Sequence, residues 1–353
     1  MTIPTEPVGS IPRPVDLIEA VAEGVISDPN LDPMYEAAVR DTIERLEATG
    51  SPVVTDGEQR KFQNFWTYSV HGLSNTAPDG FPIPFAAGHT RRMPRLTAGP
   101  FRYKRYAECY VEVALKYAHR PLKQAVISPS ALSLMYPPEE IPGYSRDEFI
   151  RDLLTEHEKE IRGCLKKGAF KVQIDFTEAR LAMKIDPSGR LLTSFIDLNN
   201  LALARFPAAE RRLLGVHTCP GGDMDSTHSA DVDYAEFLPV LFQLNVGNFC
   251  IALAGEKDRV KVLKIIRKHM KPDQRIYVGV VSTIDPRIDT PEEVRDRVIE
   301  ASRYIPVEQL GTTDDCGFAP FSDDTSTSRD TAFAKIQARV EGTALAWDSI
   351  CGR

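Results

Sequence analysis

His217-Thr218-Cys219 and, far downstream, Cys316 in Thr313-Asp314-Asp315-Cys316-Gly317 offer one imidazole and two thiols. Such a donor set suits Zn²⁺. A zinc with three protein ligands keeps a fourth position for water or substrate, which is the catalytic pattern. The wide gap between Cys219 and Cys316 excludes a compact zinc finger, so a large scaffold must bring the two ends together. Two blander readings compete. One is a core histidine beside two ordinary buried thiols. The other is a Cys219–Cys316 disulfide. The opening MTIPTEPVGS has no basic or apolar region of a secretion signal. Six cysteines in 353 residues are also too few for a disulfide scaffold. The expectation is therefore reduced thiols in a cytoplasmic protein.

The chemistry expected of such a centre is thiol activation. A free thiol of pKa about 8.5 is mostly protonated at neutral pH, and coordination deprotonates it. The resulting thiolate attacks an electrophile in a shaped, dry cavity. A methyl donor would give methyl transfer; an epoxide would give a hydroxyalkyl thioether. Epoxide opening also needs a proton or a cation at the departing oxygen, for which Tyr68, Tyr136 and His228 are candidates. Arg13 and Arg60 are candidate clamps for a substrate carboxylate or sulfonate. Glu58 is a candidate for a substrate ammonium. A zinc acting as a Lewis acid on an epoxide, with no thiol, would give an isomerase instead.

These residues need elements that hold them together. Strand-like runs are expected at Glu6–Ser10, Pro52–Asp56, Gln124–Ser128, Lys171–Asp175, Leu213–Thr218, Asn248–Ala254, Ile276–Ser282 and Gln309–Thr313. Helical patterns follow them at Met34–Thr49, Arg102–His119, Arg146–Lys167, Leu192–Phe206, Asp233–Leu244, Lys257–Met270, Pro291–Tyr304 and Thr331–Trp347. In the segment beginning Asp289-Thr290-Pro291, proline and acidic residues open the helix and Val294, Val298 and Ala301 make one face. Eight β-then-α units predict a parallel sheet closed as a single (β/α)₈ barrel over residues 1–353. The C-terminal strand ends carry Ser10, Asp56, Glu58, Ser128, Gln173, Asp175, His217, Cys219 and Cys316. Barrel active sites lie at that face. Asp175 is accordingly a candidate catalytic group, and Ser10, Asp56 and Gln173 are candidate substrate contacts. Residues 72–100, rich in Gly and Pro, read as a long loop or hairpin that could cover the mouth.

Composition narrows the partners. The net charge of −7 lacks the basic surface that nucleic acid needs. The longest apolar runs are strand-length, short of a membrane span. Small molecules, a thiol and an electrophile, are the expected partners, and self-association into a homo-oligomer is compatible with the composition.

With the strand ends in place, the chain resembles the cobalamin-independent methionine synthase superfamily along essentially its whole length. Val8-Gly9-Ser10-Ile11-Pro12-Arg13 is similar to the family's opening strand and turn. Asp56-Gly57-Glu58 resembles its His-Gly-Glu motif, and Val172-Gln173-Ile174-Asp175 its fourth strand. His217-Thr218-Cys219 and Asp315-Cys316-Gly317 resemble its zinc-ligand motifs. The resemblance implies a zinc-dependent transfer onto a thiol such as homocysteine. There are departures. Ile174-Asp175-Phe176-Thr177-Glu178-Ala179-Arg180 replaces the family's Ile-Asp-Glu-Pro-Ala-Leu-Arg. Ala131–Tyr136 lacks the tryptophan that lies against folate in the family. The family's glutamate zinc ligand maps near Leu253, leaving Glu256 as the nearest candidate fourth ligand. In these respects the chain is similar to the epoxyalkane:coenzyme M transferase branch, which implies an epoxide as the electrophile and no tight folate binding.

Overall fold

The computed structural model describes residues 2–23 and 31–352. Six parallel strands lie side by side in the order Leu310–Asp314, Arg275–Val281, Asn248–Ile251, Leu214–Thr218, Lys171–Asp175 and Lys123–Ile127. The two remaining barrel positions are extended segments rather than full ladders. Thr5 bridges Thr312 at one edge and Val54 bridges Leu122 at the other, both in parallel. These two segments then meet each other: Ile11 N–H donates to Gly57 O at 3.0 Å, and the Thr55 hydroxyl donates to Gly9 O at 3.0 Å. The ring so closed is the (β/α)₈ barrel. Its first two members stay irregular because Pro4, Pro7 and Pro52 have no N–H to give a ladder.

The strands are buried along their whole length, apart from the exposed Arg275. Helices cover them from outside, as a parallel sheet requires. The helix Arg146–Lys167 shows why local sequence suffices in places. Ser145 and Glu148 form a reciprocal capping box, and Gly168 ends the helix with φ 108°. Thr290 and Glu293 repeat the device at Pro291–Ser302. Among the described residues no helix is long and apolar enough to cross a membrane.

The barrel interior carries charge. Lys171 Nζ lies 2.5 Å from Glu6 Oε1 and 3.0 Å from the Tyr277 hydroxyl. Lys123 Nζ donates to Gln173 Oε1 at 2.8 Å. That bond fixes which end of the Gln173 amide faces upward. Its Nε2 donates to Asp175 Oδ1 at 2.8 Å and to Val8 O at 3.0 Å. Gln173, expected as a substrate contact, instead aims Asp175 from below.

Residues 72–100 form two short antiparallel ladders. Thr76–Ala77 pairs with Arg95–Leu96, and Pro82–Pro84 pairs with Thr90–Arg92. The second hairpin is tied across the barrel mouth. Ala86 N–H donates to Thr227 O at 3.0 Å, and His89 Nε2 lies 2.8 Å from Asp223 Oδ2. Arg91 bridges Asp223 at 2.7 Å and Asp323 at 2.8 Å.

Candidate metal and substrate site

His217 and Cys219 stand at and just beyond the end of Leu214–Thr218, and Cys316 follows Leu310–Asp314. The barrel brings them into one buried group whose ligand atoms all lie within 4.8 Å of one another. The two sulfurs are 2.9 Å apart, well beyond the ~2.05 Å of a disulfide, and both cysteines are free. The sulfurs lie within hydrogen-bonding reach of each other. A hydrogen bond from Cys219 draws the Cys316 thiol well below its ordinary range against the opposing effect of burial. Burial, together with the Cys316 charge, pushes Cys219 well above its own range. Neither ring nitrogen of His217 has a hydrogen-bond partner, although it is buried. A buried imidazole nitrogen without a partner, beside two cysteine sulfurs, is what a soft cation would satisfy. The donor set therefore fits zinc.

Neighbouring residues set these positions. Asp315 accepts backbone N–H bonds from Leu253, Ala254 and Gly255 at 2.7, 2.8 and 2.7 Å. This clamp fixes the loop beside Cys316, and burial lifts the Asp315 carboxyl to about 6 against those three donors. Gly221 has φ +72°, and a Cβ there would lie 1.8 Å from His228 Nε2. Any side chain at 221 would push His228 away from the cavity wall. Gly221 N–H in turn donates to Cys219 Sγ at 3.3 Å.

Next to the trio lies a chamber with about 20 Å³ of free space, room for a water or two. His217 and Cys316 form one wall. Glu58, Asp175 and Ser10 line it as well, together with the aromatic rings of Trp66, Phe85 and Phe321. Trp66 and Phe321 meet edge to face at 5.3 Å. Burial lifts the Glu58 carboxyl to about 7; Lys61 opposes this, while Asp175 and Asp56 add to it. Burial likewise raises Asp175. Lys61 itself is fully buried, with its Nζ 3.5 Å from Glu58 Oε1 and without a hydrogen-bond partner. The aromatic wall and Lys61 were not singled out from the sequence. The run Phe62–Trp66 directly after Asp56–Lys61, and Phe318–Phe321 directly after Cys316, were the available signals.

Several expected site residues lie elsewhere. Arg13 spends its guanidinium on backbone carbonyls, donating to Gln59 O and Glu58 O at 3.0 Å and to Lys61 O at 2.5 Å. It braces the turn that carries Glu58, whose φ of 58° is unusual for a residue with a side chain. Arg60 points away from the chamber and pairs with Asp32. Asp56 accepts Glu58 N–H at 3.0 Å and supports the same turn. Tyr136 donates its hydroxyl to Tyr144 O at 2.8 Å and packs on Phe149, outside the chamber. Tyr68 bonds Glu160 at 2.8 Å. His228 does line the chamber, but burial holds its imidazole down at about 3, so it is neutral there. Glu256, the candidate fourth ligand, pairs with Arg180 at 2.8 Å and lies outside the ligand group. Ser10 stays at the chamber wall, its hydroxyl accepting Ala319 N–H at 3.3 Å.

Arg13→Ala is expected to cost roughly 2–4 kcal/mol of stability, because three buried carbonyls lose one charged donor. Urea unfolding measures it. Unchanged stability with only a raised KM would restore Arg13 as a substrate clamp.

The sequence profile described as "Cobalamin-independent synthase, Catalytic domain" matches residues 3–339. A methionine synthase of Sulfurisphaera tokodaii is 24% identical, covering 97% of this chain and 92% of that protein. A 5-methyltetrahydropteroyltriglutamate–homocysteine methyltransferase of Nitratidesulfovibrio vulgaris is 22% identical over 90% of this chain and 39% of that longer enzyme. A B12-independent methionine synthase from Shewanella sp. W3-18-1, solved with selenomethionine, superposes over 100% of both chains with TM-score 0.79 at 18% identity.

Proposed function

This chain belongs to the cobalamin-independent synthase catalytic-domain family, and on that premise we propose that it transfers a methyl group to the thiol of a homocysteine-like amino acid. One observation carries the reading. His217 and Cys316 of the ligand group and the Glu58 and Asp175 carboxylates line the same small chamber. The first group suits a sulfur and the second suits an ammonium, and a short amino thiol presents both.

Zinc held by His217, Cys219 and Cys316 would supply the positive charge that keeps an acceptor thiol ionised at neutral pH. Glu58 and Asp175 hold the acceptor's ammonium, with Gln173 fixing the Asp175 oxygens. Ser10 offers a hydroxyl at the same wall. Trp66, Phe85 and Phe321 keep bulk water from the reacting sulfur. The chamber is too small for an amino acid as it stands, so the hairpin over Pro82–Arg92 acts as a lid that opens for entry.

The expectation of an epoxide electrophile gives way here. Its support was the set of departures from the synthase motifs, Phe176-Thr177-Glu178 and the missing tryptophan in Ala131–Tyr136. The tyrosines expected to serve the departing oxygen, Tyr68 and Tyr136, lie outside the chamber, and His228 is held neutral. The named relatives are methionine synthases and a homocysteine methyltransferase.

The test supplies zinc-loaded protein with homocysteine, a panel of methyl donors and a panel of epoxides, with products read by mass. Methionine formation is expected. A hydroxyalkyl thioether with no methylated thiol from any donor would overturn the reading.

A further inference from the structure

Glu58 and Asp175 line the chamber, and the Lys61 ammonium lies 3.5 Å from Glu58 Oε1 without lining it. We infer that Lys61 is the positioning residue of the acceptor site: its charge balances one carboxylate, so that the pair takes a single ammonium at neutral pH. The inference rests on the amino-thiol reading of the chamber and names what sets its selectivity.

The turn that carries Glu58 also carries Lys61. Lys61 N–H donates to Glu58 O at 3.1 Å, and Arg13 braces the turn by donating to Lys61 O at 2.5 Å. The Lys61 side chain is fully buried, and its Nζ makes no hydrogen bond within the protein. The Tyr68 ring lies 4.8 Å from it, with the Tyr68 hydroxyl held by Glu160. A buried ammonium so sparsely supported is costly for the fold. A packed apolar side chain would serve stability better, so the charge has a use, and Glu58 is the carboxylate it reaches.

The surrounding charges show what that use is. Glu58 is faced by Lys61, Asp175, Asp56 and Arg13. Arg13 is committed to backbone carbonyls, and the two aspartates repel. Among the described residues Lys61 is the only cation within 4 Å of the Glu58 carboxylate. Lys61 itself faces Glu58, Asp175, Asp56 and Glu160, which outweigh burial and hold its proton in place. Two chamber carboxylates and one buried ammonium leave one negative charge to balance, and the acceptor's ammonium balances it. Without Lys61, two negative charges would face each other in a site with little water, and a proton on Glu58 would be the cheaper arrangement. A protonated Glu58 offers the acceptor no charge.

The experiment is calorimetry on zinc-loaded full-length protein from about pH 6 to about pH 8.5. It compares homocysteine with 4-mercaptobutanoate, the same thiol without its amine. The ratio of the two Kd values cancels what the thiol's own proton contributes. In the wild type the preference for the amine should rise to a plateau with its midpoint at about pH 7. Lys61→Met should move that midpoint up by about one pH unit and keep the plateau. At pH 7 the variant should then show about a tenth of its own plateau preference, where the wild type shows about half. Lys61→Arg keeps the charge and should return the midpoint to about pH 7. Lys61→Gln, neutral but polar, should repeat the Lys61→Met result if the methionine variant folds poorly. An unmoved midpoint in the neutral variants, or a lowered plateau with the midpoint in place, would make Lys61 a structural residue and leave methyl transfer standing. Equal binding of both thiols by the wild type at every pH would remove the ammonium reading of Glu58 and Asp175, and this inference with it.

Discussion

Replacing Cys316 with serine is expected to strip the protein of stoichiometric zinc and to lower turnover on the order of a thousandfold. The loss follows from the donor set. Serine keeps the shape of the side chain but offers a neutral hydroxyl where a thiolate stood, and zinc prefers the soft, charged sulfur. His217 and Cys219 would remain, and two ligands rarely hold zinc against water and chelators. A metal that supplies several kcal/mol of charge stabilisation takes about three decades of rate with it. Elemental analysis after dialysis reads the metal, and Cys351→Ser, at an exposed cysteine, is the control. The variant should stay folded, because Asp315 still clamps the neighbouring loop through three backbone bonds. Stoichiometric zinc in Cys316→Ser would place the metal elsewhere or exclude it.

The part of this site that the sequence made legible is the part built from rare residue types. A histidine and two cysteines at strand ends stand out because few other roles suit them all. The barrel was legible for a similar reason, since strand-length apolar runs alternate with amphipathic segments. Lys171–Asp175 and Arg146–Lys167 have the expected bounds, the second because its caps are local. Elsewhere tertiary contacts overrode pattern. A helix expected over Arg102–His119 contracts to Glu108–Ala114. The backbone N–H groups of Phe101, Tyr103 and Ala107 go instead to the carboxylates of Asp152, Glu156 and Glu160. The same ambiguity misdirected the arginines. A guanidinium that grips a substrate carboxylate and one that braces three carbonyls look alike in sequence, and Arg13 is the second kind. The aromatic wall was illegible because Trp66, Phe85 and Phe321 come from three distant segments that only the closed barrel joins.

Glu58 and Asp175 should show the largest effects on the acceptor. Asp175→Asn keeps the volume and the bond from Gln173 available, yet removes the charge that faces the acceptor's ammonium. Losing one partner of a buried charge pair costs roughly 2–5 kcal/mol, so kcat/KM for homocysteine should fall at least thirtyfold. Glu58 adds a pH signature. Its carboxyl, lifted to about 7 chiefly by burial, is largely protonated in slightly acidic solution and cannot hold the ammonium there. In the free enzyme kcat/KM for an amino thiol should therefore rise through about pH 7. Glu58→Gln should lose that limb, and so should wild type assayed with a mercapto acid that has no amine. The same shift has a second consequence. Because Glu58 holds its proton more tightly folded than unfolded, its contribution to stability is full below the ordinary carboxyl range. It is lost as pH rises through about 7. Glu58→Gln should flatten that decline in urea unfolding. A stability change without the kinetic one would leave Glu58 a buried structural acid. Both together would tie the carboxylate to the acceptor's ammonium.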